Sequence, residues 1–192
     1  LVDIEQREAS TPRAESVIEM AANQLLIEGI VPGRTILIHG DIGVGKSSFL
    51  RQLPKVVLER RSEKKSSDLV WAHLDLVAYR ERHFSEETER KMMNQICVRL
   101  REKVSESSQL QPRGLDPDHW KHFRDIYNQE VVEFKKQRFP DSDDSDREYL
   151  DQVREYIWNI KQNDPEEHLL RVLYWLTVTN SIPVVLVLDN SD

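Results

Sequence analysis

The chain has 192 residues, 39% of them hydrophobic and 32% charged, and a formal net charge of -7. This length holds one domain, or one domain with an insertion, and can bury a sizeable core. The charge balance argues against a globally electropositive nucleic-acid binder, leaving only a local patch to consider. The single cysteine, Cys97, excludes an internal disulfide framework and a cysteine-based zinc site. The longest purely apolar run, residues 184–188, is too short to span a membrane, and the first residues show no basic-then-apolar leader pattern. A soluble, cytoplasmic protein without a membrane partner is expected.

Residues 1–13 are polar and aperiodic and read as an arm or linker. Over 14–28, Val17, Ile18, Ala21, Ala22, Leu25 and Leu26 fall at helical spacing, and Gly29 and Pro32-Gly33 stop that helix. A β-rich run over 35–39 predicts a buried strand, followed by a glycine-rich turn and a helix from 46 to about 61. The basic stretch around Lys55, Arg60, Arg61, Lys64 and Lys65 reads as a solvated helix end. Residues 69–76 predict a second strand. Ser85 opens a further helix with Glu86 and Glu87 in its first turn. On that helix Met93, Ile96, Cys97, Leu100 and Val104 share one face, which makes Cys97 a core residue rather than a nucleophile.

Residues 108–165 differ in character. Pro112, Gly114 and Pro117 break the chain, and Asp118 is placed to cap a helix starting near His119. Trp120, Phe123, Tyr127, Val131 and Phe134 give that helix an aromatic stripe, expected as hairpin core rather than partner surface. Pro140 ends it, Asp141, Asp143, Asp144 and Asp146 form an acidic loop, and a second helix carries Leu150, Val153, Ile157 and Ile160. The pattern predicts an inserted α-helical hairpin. An apolar helix over 166–179 then leads to a buried strand over 183–188. Helices alternating with short apolar strands argue for a parallel sheet.

Gly40-Asp41-Ile42-Gly43-Val44-Gly45-Lys46-Ser47 satisfies G-x-x-x-x-G-K-S/T at every fixed position. Chance matches in a chain of this length are on the order of one per cent or less at average glycine usage, and the strand-then-helix context selects further. A polyphosphate needs several backbone N–H groups turned to one point; glycines allow that path, and the following helix adds its own unpaired amides. Lys46 is expected to bridge the β- and γ-phosphates, Ser47 to ligate Mg2+, and Ser48 to reach the α-phosphate. Mg2+ held on phosphates also needs a carboxylate on a rigid neighbour. The apolar strand ending in Asp189 offers one, the Walker B pattern, expected to act through a water.

On residues 40–47 and 184–192 the chain resembles the P-loop NTPases with an additional central strand, the group that holds AAA+ ATPases and the STAND and KAP-type signalling NTPases. The resemblance implies an α/β fold: a three-layer P-loop core with a parallel sheet, formed by residues 14–107 and 166–192 and interrupted by the helical insertion. In that fold a strand encoded after Walker B lies between the Walker A and Walker B strands. That strand, the γ-phosphate sensors and any arginine finger are therefore expected beyond Asp192. Many relatives place glutamate after the magnesium aspartate, whereas this chain has Asn190, in Asp189-Asn190-Ser191-Asp192. Asn190 can orient a water but cannot take its proton; Asp192 is a candidate base, and Asp75, at the end of the second strand, is either a second candidate or a strand-end cap. His73 and His83 read as structural or surface residues.

The leading expectation is a module that binds and hydrolyses ATP with Mg2+ and switches its packing on other domains of the same polypeptide. A second is a nucleotide-dependent interaction module with little hydrolysis, contacting a protein through the insertion. A third, a small-molecule kinase, would need an arginine-rich lid, and the insertion is acidic instead. No N-K-x-D guanine-reading sequence is present, so ATP is favoured over GTP.

Overall fold

The computed structural model describes residues 2–3, 38–39, 45–63, 69–79, 86–143 and 145–189. In chain order these form β1 (Val2–Asp3), β2 (Ile38–His39), α1 (Lys46–Glu63), β3 (Val70–Asp75), α2 (Glu86–Ser105), α3 (Trp120–Ile126), α4 (Asn128–Arg138), α5 (Arg147–Asn163), α6 (Pro165–Tyr174) and β4 (Val184–Asp189). The architecture is mixed and mostly helical, with two parallel strand pairs, β1–β2 and β3–β4. None of the described helices is long and apolar enough to cross a membrane. The N-terminal arm, expected to be irregular, supplies β1 through backbone pairing of Val2 with Ile38 and Asp3 with His39. A two-residue strand has no side-chain period to betray it. The helix expected over 14–28 lies outside the described residues.

The β3–β4 pair organises the rest. Its register runs from Val70 opposite Val184 to Asp75 opposite Asp189, and the Val70 N–H donates to the Pro183 carbonyl at 3.0 Å just before it. Parallel neighbours need a long crossover, here the whole of α2 to α6. Side chains alternate between the two faces. Val70 and Ala72 pack among Val104, Tyr127, Tyr149, Val153, Ile157 and Leu176, and Leu74 packs with Ile96, Leu100 and Leu169. On the other face Trp71 and Val185 meet Leu53 and Val57 of α1. Helices therefore cover both faces of the pair. α1 continues through Pro54 although the ring removes one backbone donor; the buried Leu53 and Val57 on either side hold it against the strands.

Several details of the helical region depart from expectation. The aromatic helix divides at Tyr127, whose φ of -112° and ψ of 29° end α3 and start α4. The stripe survives because Tyr127 N–H still bonds to Phe123 and Val131 N–H to Tyr127, both at 2.9 Å. Tyr127, Val131 and Phe134 are buried, with Trp120 and Phe123 packed against them. Asp118 does not cap a helix: the His119 ring accepts from Lys121 N–H instead, and Asp118 bonds to Arg101 of α2 and, at 2.8 Å, to Lys161 of α5. Burial would raise its carboxyl pKa, but these cations outweigh that and hold it below the ordinary value. Met93 is 49% exposed, and its neighbour Met92 packs against the core beside the buried Cys97. The acidic loop has a structural use, since Asp146 caps α5 by accepting from Glu148 and Tyr149 N–H groups.

α6 ends in a wider π turn, Trp175–Thr179, where a continuous helix was expected. Asn180 closes it with backbone and side-chain bonds to the Trp175 carbonyl at 3.0 and 2.9 Å. Ser181 takes a positive φ of 54°, and Ile182 N–H then bonds to Leu176 O at 2.8 Å, delivering the chain into β4.

Beneath this turn, the Tyr127 hydroxyl lies 2.6 Å from His168 Nδ1 with the rings stacked. Burial, reinforced by Lys161, Arg101 and Arg171, pushes His168 down to about 4 from an ordinary 6.5. The buried ring is neutral, and its Nδ1 shares a hydrogen bond with the phenol hydroxyl. As pH falls below 6.5 the unfolded chain takes a proton that the fold refuses, so this contribution is complete above 6.5 and lost by about pH 4. The loss is about 3 kcal/mol. Urea unfolding should show the stability gap between the wild type and His168→Gln narrowing by about that amount from pH 7 to pH 4.

Candidate functional site

The site begins where α1 begins. Gly45 has φ +91°, with open space where a Cβ would stand, so it is the backbone angle that calls for glycine. Phe49 N–H bonds back to the Gly45 carbonyl at 2.9 Å and closes the first helical turn. That turn carries no acidic side chain, so its amide groups and positive dipole end remain suited to an anion. Lys46 is the first residue of α1 and half-buried, Ser47 follows half-buried, and Ser48 is exposed.

At the far end of the crossover, β4 closes on Asp189, which is 4% exposed. A carboxylate so buried needs hydrogen-bond donors. Ser47 provides one: its hydroxyl donates to Asp189 Oδ1 at 3.1 Å, across 142 positions of sequence. The other oxygen, Oδ2, faces His73 Nε2 at 3.5 Å. Asp75, opposite Asp189 in the register, is exposed and accepts the Val77 N–H on Oδ1 at 3.0 Å, the behaviour of a strand-end cap.

Of the residues expected to form the site, the structure brings Ser47 and Asp189 into contact and sets Gly45, Lys46 and Ser48 beside them at the head of α1. Gly40, Asp41, Ile42, Gly43 and Val44, together with Asn190 and Asp192, lie outside the described residues, as does His83. His73, expected as a structural or surface residue, has its Nε2 3.5 Å from the buried carboxylate. Its signal lay in strand alternation: His73 is two residues before Asp75 and therefore shares the face on which Asp75 and Asp189 lie.

Hydroxyl and carboxylate oxygens are hard donors of the kind Mg2+ takes. Among the described residues no cluster of three or more His, Cys, Asp or Glu could hold a metal by itself. A cation bound largely through phosphate needs only one or two protein oxygens, which this pair supplies. Comparison with known proteins matches no family model, no curated protein and no solved structure.

Removing the Ser47 hydroxyl leaves Asp189 Oδ1 without this donor. Ser47→Ala should lower stability by about 1 kcal/mol, read as a shift of the urea midpoint at neutral pH with an unchanged slope.

Proposed function

We propose that this chain is the nucleotide-binding core of a P-loop ATPase, built as a three-layer α/β unit with a parallel sheet, which binds ATP with Mg2+ and uses the nucleotide as a switch. The observation that carries the reading is the Ser47–Asp189 hydrogen bond. Serine of the glycine-rich motif and the carboxylate ending the apolar strand are the two residues that the chemistry requires side by side, and nothing in ordinary core packing asks for them to meet. Helices on both faces of β3–β4 support the layered fold.

In this reading the backbone over residues 40–45 and the first turn of α1 hold the phosphates by N–H donation. Lys46 places a positive charge on the β- and γ-phosphates, and Ser48 reaches the α-phosphate. Ser47 and Asp189 hold Mg2+, which when bound neutralises phosphate charge. Ser47 keeps its proton on Asp189 and turns its lone pairs outward. Positioning and charge neutralisation supply most of the rate in phosphoryl transfer. Asp75 engages one oxygen with backbone, and Asn190 orients water without accepting its proton. Asp192 is then the carboxylate left for that role, and turnover is slow relative to binding. The same two features favour, as a second reading, a module that binds ATP and scarcely hydrolyses it. The partners are ATP, other domains of the polypeptide, and a protein contacting the helical insertion.

Calorimetric titration of the full-length protein with a non-hydrolysable ATP analogue should give heat that depends on Mg2+, and Lys46→Ala should weaken binding at least about tenfold, the loss of one buried charge contact. Phosphate release above the Lys46→Ala background identifies an ATPase; equal release with intact binding identifies the binding module. No Mg2+-dependent heat from the wild type overturns both.

A further inference from the structure

A cleft of about 550 Å3 runs along α3 and α4 and ends at Tyr149 of α5. Lys121, Arg124 and Lys135 line it against a single acid, Asp125, so it is cationic on a chain whose formal net charge is -7. A fourth cation stands beside it: the Arg154 guanidinium lies 5.0 Å over the ring of Trp120, itself a wall residue. Lys121 and Lys135 are about 20 Å apart along the helical path, too far for one phosphate or small dianion to bridge. Between them Val131 and Val132 line the cleft, and Val132 is 43% exposed. Charge therefore sits at the two ends and apolar surface in the middle.

We propose that this cleft binds an acidic peptide, an extended segment of about six residues with carboxylates at both ends and an apolar side chain between them. A single-stranded nucleic acid would need open aromatic faces for its bases. Here Tyr149 is 1% exposed with Lys135 5.5 Å over its ring, and the Trp120 ring carries Arg154. Contacts that the cations make within the chain do not bar an incoming carboxylate. An exposed pair such as Arg154–Asp151, at 3.3 Å, is screened by water and contributes little. The negative charge of the chain as a whole repels an acidic ligand, so its encounter is steered to this one groove. The cleft gives the protein partner proposed above its chemistry and rests on that part of the reading alone.

The test follows the fluorescence anisotropy of a labelled peptide, Glu-Glu-Phe-Leu-Glu-Glu, titrated with the full-length protein at low salt. No nucleotide is present, so failure here leaves ATP binding untouched. The wild type should bind this peptide and not its counterpart Gln-Gln-Phe-Leu-Gln-Gln. Lys121→Glu should weaken binding about fivefold, and Asp125→Lys should strengthen it by a similar factor. Both residues are exposed, so neither substitution disturbs the core. Lys91→Glu, the same change of charge on an exposed residue of α2, should leave the affinity unchanged. Absence of binding by the wild type, equal binding of the glutamine peptide, or an equal loss in Lys91→Glu overturns the proposal. Tighter binding of a single-stranded RNA oligonucleotide than of the acidic peptide overturns it as well.

Discussion

A carboxylate buried at the end of an apolar strand constrains everything near it, because burying a charge is costly unless donors surround it. Asp189, 4% exposed, has the Ser47 hydroxyl at 3.1 Å, and Ser47 stands in the first turn of α1, where the helix dipole also favours negative charge. Both contributions come from α1. The helix must therefore lie across one face of β3–β4 with its N-terminus at the carboxyl ends of the strands. Leu53 and Val57 hold it there by packing on Trp71 and Val185. Hydrophobic burial orients the helix, and the polar contact at its tip follows from that orientation.

The opposite face carries a separate assembly. Val70 and Ala72 join Val104 of α2, Tyr127 at the α3–α4 junction, Phe134 of α4, and Trp175 and Leu176 of the π turn in one continuous cluster. Polar ties reinforce it: Asp118 links α2 to α5 through Arg101 and Lys161, and Arg171 joins α6 to Glu130 of α4 at 2.6 Å. Residues 120–163 are thus bonded into the sheet's core rather than suspended from it. Movement of the strand pair relative to α1 would be felt across these contacts on the helical face.

What the sequence disclosed follows from the range over which its signals act. The start of α1 at Lys46, the strand ending in Asp189 and the apolar face of α5 were legible because glycine usage and apolar period are local. The division at Tyr127 was not, since the spacing of Phe123, Tyr127, Val131 and Phe134 runs through the break unchanged. Asp118 looked like a cap from its neighbours alone, and its partners lie 17 and 43 residues away. His73 read as structural because its relation to Asp189 exists only once a register is chosen.

That register is the quantity on which the proposed site turns. Side chains alternate along a strand, so a slip of one residue between β3 and β4 would carry Asp189 to the face now bearing Leu186 and Leu188 and bring Leu188 toward α1. The apolar run from Val184 to Leu188 does not resist such a slip, because similar residues occupy both faces. Resistance comes from the turn before it. Asn180 bonds to the Trp175 carbonyl, Ile182 to Leu176, and Val70 to Pro183, while Ser181 sits in a left-handed conformation with φ of 54° that costs roughly 1–2 kcal/mol for a residue with a side chain. Those bonds offset that cost and fix the residue at which the strand starts. The placement of a carboxylate beside Ser47 is thereby set at the opposite end of β4, by the π turn that precedes the strand.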